Sequence, residues 1–448
     1  MKNIAVIGAG LAGCECAMAL AKAGCGVTLF EMKPEVHSPA HSLETFAELV
    51  CSNSLRSDEP VMAVGLLKEE LRAVGSLVME AAEATRVPAG KALAVDREAF
   101  SRYVTDRIAA QPAITVVRRE VKRLDDPALS AFDAVAVTAG PLASDALAAH
   151  LKEVIGGESL YFYDAIAPII ETASIDMGVC FYADRWAEEE AAEGKGDYLN
   201  CPMSEEEYRR FIAELLAAKK VPSRDFEKEA HFEGCLPIEV MAERGEMTLA
   251  FGPLKPVGLV DPRTGRRPFA VLQLRAENKE KTMVNMVGFQ TKLTYPEQER
   301  VFRGLPGLHD AQFVRLGSIH RNTFVDAPKV LTEHLELSAL PGTYLAGQIA
   351  GVEGYVESAA CGLWLGLYLG RGLSLPPQET ALGALLTHLR TENKHFQPMN
   401  ANFGLMPPIG VKAKKARRKE LHVERARKYW KEWLAANAAL LSLDAPSI

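Results

Sequence analysis

The segment Ile4-Ala5-Val6-Ile7-Gly8-Ala9-Gly10-Leu11-Ala12-Gly13 constrains this chain more than any other. Its apolar start reads as a buried strand, and the Ala-rich stretch that follows, to about Ala23, reads as a helix. Between them lies G-x-G-x-x-G. Gly24-Cys25-Gly26 turns the chain, and Val27-Thr28-Leu29-Phe30 is a second strand ending at Glu31. This strand–helix–strand unit is the βαβ module of a parallel sheet. Gly8 permits a tight turn, Gly10 lets the backbone approach a pyrophosphate, and Gly13 lets helix and strand pack closely. The run Gly8, Ala9, Gly10, Leu11, Ala12, Gly13 also carries the free N–H groups and partial positive charge of a helix N-terminus. Glu31, 18 positions beyond Gly13, is placed to accept hydrogen bonds from ribose hydroxyls. The competing reading is a glycine turn with no ligand, and the strand, helix and acidic residue together weigh against it.

FAD and NAD both use such a unit. Far downstream, Gly342-Thr343-Tyr344-Leu345-Ala346-Gly347-Gln348 has the same buried-strand-to-glycine character. By analogy with two-part flavoproteins, in which a late strand–Gly–helix element closes over the flavin, it favours FAD. Gly347, Gln348 and Gly354 join the candidate cofactor residues.

Between these ends the texture changes. Residues 34–60 are polar and Pro/Ser-rich and read as a long loop; helical patterns follow at 61–84 and 96–110, and a buried strand at 134–140. From about 160 to 325, short β-rich pieces (Met247–Phe251, Phe269–Leu274, Met283–Gly288) alternate with turns around a charged helix at 204–219, an α+β insertion. A small-residue helix is expected at Ser358–Leu369, with helices at 376–390 and 412–440. The expected division is 1–160 and 326–375 for the two parts of a Rossmann-type α/β domain, 161–325 for the α+β domain on the substrate side, and 376–448 for a helical, basic C-terminal segment.

At 448 residues, 48% hydrophobic and 24% charged, the chain is an ordinary globular protein of roughly two to four domains. No apolar run reaches the ~18 residues of a membrane span. Met1-Lys2-Asn3 enters the first strand at once, so no signal or transit peptide is expected. Eight scattered cysteines without a C-x-x-C pair suit a reducing cytoplasm. His37 and His41 have ligand spacing, but Pro39 between them in a polar loop makes them solvated loop histidines, and no metal site is expected. The net charge of −7 hides a local contrast: residues 412–431 hold ten Lys/Arg against two Glu. Tyr429, Trp430 and Trp433 interleave with them. This stretch is either a phosphate-binding stripe with base-stacking aromatics or a solvated helix face over an aromatic core stripe.

Of the cysteines, Cys14, Cys16, Cys25 and Cys361 read as core, and Cys180 and Cys201 say little. Cys51, in Val50-Cys51-Ser52-Asn53-Ser54-Leu55-Arg56, and Cys235, in His231-Phe232-Glu233-Gly234-Cys235-Leu236-Pro237-Ile238-Glu239, differ. Both lie among polar or titratable neighbours of the kind that tune a thiolate, and for each an inert structural cysteine is the competing reading.

These two segments, the Gly8–Gly13 run with Glu31, Asp197–Met203, Phe251–Leu259, Asn285–Thr291, His320–Thr323 and Gly347–Tyr355 together resemble the folate- and FAD-dependent tRNA uracil-5-methyltransferase family, over nearly the whole chain. The first and last flavin segments also resemble the GidA type of wobble-uridine-modifying flavoprotein. The resemblance implies a GidA-related flavoprotein in the cytoplasm. It implies that the one-carbon unit of 5,10-methylenetetrahydrofolate and reducing equivalents from NAD(P)H pass through FAD to C5 of the T-loop uridine of tRNA. Uracil C5 is a poor nucleophile until a thiolate adds at C6, and a base must later remove the C5 proton. On that basis Cys235 is assigned as nucleophile and Cys51 as its partner near the flavin and candidate base, with the reverse assignment open. The T-arm of tRNA is the expected partner, through the basic 412–431 segment, with no membrane and no DNA. Two other readings compete: a flavin oxidoreductase of a small molecule on the same scaffold, and a tRNA-binding protein with structural flavin.

Overall fold

Five parallel strands form the centre of a computed structural model that describes residues 1–156, 160–185, 196–221, 236–393, 396–411 and 414–441. Across the sheet lie Ile114–Arg118, Gly26–Glu31, Asn3–Ile7, Ala134–Val137 and Thr343–Leu345, the order 3-2-1-4-5 in sequence. The first strand pairs with both neighbours, Ile4 opposite Val27 on one side and Ala134 on the other. Connections leave it in opposite directions, so a crevice opens at its carboxyl end. The last strand comes from about 200 residues further on, so the sheet is built from both ends of the chain.

The helix Leu11–Lys22 is buried along nearly its whole length. It can be so because the helix Tyr355–Arg371 meets it through glycine. A Cβ on Gly366 would lie 2.6 Å from Cys16 O, and one on Gly362 would overlap Ala12 O. Gly362, Gly366 and Gly370 recur every four residues on one face, which lets two backbones touch. This contact fixes the late glycine segment against the early one.

The insertion enters and leaves through a two-stranded ribbon, Leu160–Ala165 paired with Ile319–Phe324. Beyond it is a six-stranded antiparallel sheet in the order Phe181–Tyr182, Tyr198–Met203, Ala270–Ala276, Met283–Met286, Ile169–Glu171 and Phe313–Arg315. Helix Glu205–Ala217, opened by a Ser204/Glu207 capping box, packs Tyr208, Phe211 and Leu215 into a second core with Phe289 and Phe302.

Several local expectations need correction. The 61–84 pattern is two helices, Ala63–Ala73 and Leu77–Ala84, because Gly75 turns at φ +74° and Ser76 caps the second with its side chain. Residues 54–57 of the expected loop form a strand against Ala92–Val95. Met247–Phe251 is no strand: Thr248–Phe251 is a short helix. The C-terminal helix runs Lys415–Ala436 and breaks at Asn437, whose side chain hydrogen-bonds Ser374. Trp430 and Trp433 are buried and stacked 4.8 Å apart, so these two aromatics pack in the core. Among the described residues no helix is long and apolar enough to cross a membrane.

Candidate active site

The crevice at the end of the first strand holds a cavity of about 1060 Å3, lined by Gly8–Ala12, Glu31, Lys33, Thr138–Ser144, Gln348, Tyr355 and Ser358 among others. Gly8 has φ +98°, and a Cβ there would lie 2.6 Å from Ala139 Cα. At Gly13 a Cβ would overlap Gly8 O. At Gly10, the helix N-cap, a Cβ would meet nothing within 4 Å. The turn is thus tight where backbone meets backbone and open where a ligand would approach. Among the described residues no side chain caps this helix, so its first-turn N–H groups face the cavity without an intrahelical acceptor. The buried Glu31 carboxylate accepts Ala9 N–H at 2.8 Å and Lys33 N–H at 2.9 Å. It ties the glycine turn to the second strand and keeps lone pairs for a hydroxyl. Gly347 (φ +84°) sits where a Cβ would come 2.8 Å from Ala12 Cβ, and Gln348 Nε2 donates to Glu353 Oε2 at 2.6 Å. These residues fit a dinucleotide such as FAD: an uncapped helix N-terminus, open space over Gly10, and an acidic strand end.

A second cavity, of about 1330 Å3, continues from the first across Val50, Pro141, Leu142, Gln348 and Tyr355. Cys51 lines it, together with Ser52, Arg56, Arg275, Gln290, Asn322 and Glu357. The Cys51 thiol is partly exposed, with Sγ 3.9 Å from Ala165 O. Its loop is stitched in place from both domains. The Tyr355 hydroxyl oxygen accepts Cys51 N–H at 2.7 Å and Ser52 N–H at 3.2 Å. Arg97 donates to Leu49 O, and Arg315 to Val50 O at 2.8 Å. Arg275 donates to Ser52 Oγ at 2.8 Å and Asn53 Oδ1 at 2.9 Å. Asn53, fully buried, donates to Val95 O and Ala276 O. Burial keeps the Tyr355 phenol protonated by pushing its pKa up. Burial alone would lower Arg97, but the Glu277 carboxylate 2.9 Å away raises it above its ordinary value. Three guanidiniums, those of Arg97, Arg275 and Arg315, therefore hold the Cys51 loop, with the charge of Arg97 paired to Glu277.

Glu357, in the first turn of the late helix, is fully buried. Its Oε1 accepts Arg56 NH1 and Ala401 N–H, both at 2.9 Å, and its Oε2 has no partner among the described residues. Burial pushes its carboxyl above the ordinary value, and Arg56 pulls it back.

The comparisons with known proteins bear on the whole chain. The sequence model of the family described as Glucose inhibited division protein A matches residues 3–374. The protein named methylenetetrahydrofolate--tRNA-(uracil-5-)-methyltransferase TrmFO of Nitratidesulfovibrio vulgaris is 63% identical over 436 residues, 96% of this chain and 91% of that one. Those of Oleidesulfovibrio alaskensis and Geobacter sulfurreducens are 60% and 58% identical, over 97% and 96% of this chain and 98% and 99% of theirs. The chain belongs to the TrmFO family. Its fold is also that of Aquifex aeolicus GidA, whose structure superposes at a TM-score of 0.68 with 16% identity, over 99% of this chain and 76% of that one.

Within this TrmFO chain, the structure brings Gly8–Ala12, Glu31 and Gln348 to the first cavity, and Cys51, Gln348 and Gly354 to the second. Gly13 and Gly347 serve the packing behind them. Cys235 lies outside the described residues. The chain resumes at Leu236, and Ile238 N–H donates to the backbone carbonyl of Gln290 at 2.7 Å, a residue that lines the cavity with Cys51. His41 is not simply a solvated loop residue: it lines the first cavity, its Nδ1 2.5 Å from Ser38 Oγ, and burial lowers its pKa. No group of three or more His, Cys, Asp or Glu suited to a metal occurs among the described residues. Sequence reading missed Arg97, Arg275, Arg315 and Glu357, which carry no local motif, and singled Tyr355 out only as the end of a resembling segment. It also missed that Cys180 and Cys201 face each other, with sulfurs 3.2 Å apart.

Proposed function

We propose that this protein methylates C5 of the T-loop uridine of tRNA to ribothymidine. When bound, FAD supplies reducing equivalents drawn from NAD(P)H, and 5,10-methylenetetrahydrofolate supplies the carbon. The observation that carries the reading is Cys51 on the wall of a cavity continuous with the dinucleotide crevice, in a chain of the TrmFO family along nearly its full length.

The residues divide the work. Gly8–Ala12, Glu31, Gln348 and Gly354 hold the cofactor, over the close packing that Gly13 and Gly347 permit. The Cys235 thiolate adds to uracil C6 and makes C5 nucleophilic as an enolate. Once C5 has bonded to the incoming methylene carbon, Cys51 takes the C5 proton as the carbon's bond to its carrier breaks, which leaves an exocyclic methylene on C5. The hydride that the reduced cofactor would supply makes it a methyl group and restores the C5 enolate, which expels the Cys235 sulfur from C6. Arg97 and Arg315 hold the Cys51 loop through the carbonyls of Leu49 and Val50, and Tyr355 fixes it by accepting two successive N–H groups. The target base is extruded to reach the cavity, since chemistry on a stacked base is blocked.

The tRNA T-arm approaches along the start of the C-terminal helix. Lys419 Nζ lies 3.4 Å from Met62 Sδ, which follows the Arg56 strand by one short loop, and Lys414 and Arg418 are exposed beside it. Other basic residues of this stretch are engaged within the protein: Arg427 with Glu69, Arg425 with the carbonyls of Pro407 and Pro408, and Arg417 with Glu420 and Glu424.

The test is direct. Protein, NADPH, methylenetetrahydrofolate and unmodified tRNA are incubated and 5-methyluridine is measured. Product that depends on folate supports the reading. Flavin turnover without tRNA change, or a gel shift without product, contradicts it.

A further inference from the structure

Arg56 is the least ordinary residue in the second cavity. Its backbone is left-handed, with φ +66°, a strained conformation for a non-glycine residue and one that clusters at functional sites. The strand Ser54–Ser57 is irregular here, its pairing with Ala92–Val95 slipping between Ser54 and Ser57. Two buried charges hold the kink. Lys68, fully buried, donates Nζ to Ser57 O at 2.6 Å and Arg56 O at 3.4 Å. Glu357, also fully buried, grips Arg56 NH1 from the other side at 2.9 Å. Both are costly to bury, and burial pushes the Lys68 ammonium down to about 8.

The guanidinium so held is not itself buried. Its side chain is 44% exposed and lines the cavity that Cys51 lines. Glu357 takes one of its five N–H donors, and no second side-chain acceptor holds it among the described residues. A purely structural ion pair would not need a strained backbone to present a forked donor at the mouth of a reaction cavity. Met62, just beyond the Arg56 strand in sequence, has Lys419 Nζ 3.4 Å from its sulfur, and Arg418 and Lys414 are exposed at the same helix start. Positive charge at several points suits a ligand with anionic groups at intervals, which a phosphodiester chain is and a single carboxylate tail is not.

We propose that Arg56 is a positioning residue that binds a backbone phosphate flanking the target uridine, its fork aimed by Glu357 and its backbone locked by Lys68. The inference rests on the tRNA reading above.

The experiment uses the full-length, flavin-loaded protein. Arg56→Gln keeps a donor for Glu357 and removes the charge, and Arg56→Lys restores a charge. Binding of unmodified tRNA is measured from low to moderate KCl, with KM for tRNA and for methylenetetrahydrofolate, flavin absorbance and thermal midpoint. The proposal expects Arg56→Gln to lower the slope of log K against log salt by about 0.7–1. It expects KM for tRNA to rise with KM for folate and flavin content unchanged, and Arg56→Lys to recover the slope. An unchanged slope with a raised folate KM would assign the fork to a folate carboxylate and overturn the proposal. Loss of flavin or early melting in both variants would make Arg56 a structural pin and overturn it too. A wild-type protein that neither binds nor methylates tRNA would instead sink the parent reading; one that does both, with all slopes equal, sinks this inference alone.

Discussion

Three glycines within six residues do different things, and substitution separates them. Gly13→Ala puts a methyl onto Gly8 O, a backbone atom that cannot yield, so it should destabilise the fold by roughly 1–3 kcal/mol and also lose flavin. Gly10→Ala has room within the protein and should fold with a normal midpoint yet bind flavin poorly, because its methyl occupies the ligand's space. Thermal unfolding read beside flavin absorbance distinguishes the two. The thiols separate in the same way: Cys235→Ala should abolish a covalent complex with tRNA bearing 5-fluorouridine at the target, and Cys51→Ala should retain it. A complex that survives Cys235→Ala and disappears with Cys51→Ala would exchange their roles. Glycines and cysteines were legible before the fold because their chemistry is local to a short motif. Arg97, Arg275 and Arg315 were not, since they come from three distant segments and meet only around Leu49–Asn53.

At the scale of elements, the decisive contact is between the helices Leu11–Lys22 and Tyr355–Arg371. Gly362→Ala should separate them, because the added methyl falls on Ala12 O, and should lower both stability and flavin retention although Gly362 lines neither cavity. Helix Ala381–His388 gives a pH prediction. Its first N–H groups, of Ala381 and Leu382, donate to Glu70 at 2.8 Å, and burial pushes the Glu70 carboxyl up from 4.5 to about 8 despite them. The folded state therefore holds a proton that the unfolded chain has released. This contribution to stability is complete below about pH 4.5 and is lost as pH rises to about 8. Denaturant unfolding from pH 5 to 8.5 should show a shallower decline in Glu70→Gln than in the parent. Elements were legible where one pattern was strong, as in the βαβ unit, whose strand and helix periods are local. Met247–Phe251 misled because five residues with two buried apolar positions satisfy either period, and tertiary packing of Leu249 and Ala250 decided for helix.

Over the whole molecule, the two ends of the chain build one sheet and the middle builds a second domain. The Cys51 loop is bonded to both: to Arg97 and Tyr355 on the flavin side, and to Arg275 and Arg315 on the other. The cavity at Cys51 is lined from both, by Tyr355 and Glu357 on one side and by Ile166, Arg275 and Gln290 on the other. The basic C-terminal stretch divides once folded into residues spent on internal contacts and others, Lys414 and Arg418 among them, left exposed. tRNA affinity should accordingly fall steeply with salt but with a slope well below that of ten phosphate contacts, and Lys414→Glu with Arg418→Glu should reduce it further.

The central claim is that a carbon passes from folate to a thiol-activated uridine at this cavity. The most direct test supplies yellow, purified protein with NADPH, unmodified tRNA and 5,10-methylenetetrahydrofolate labelled with 13C in its methylene group. Nucleosides are then weighed by mass spectrometry. The account predicts 5-methyluridine heavier by one carbon label, none without folate, and no label taken from S-adenosylmethionine. Unlabelled product, label arriving from S-adenosylmethionine, or no product from flavin-loaded protein that binds tRNA would contradict it.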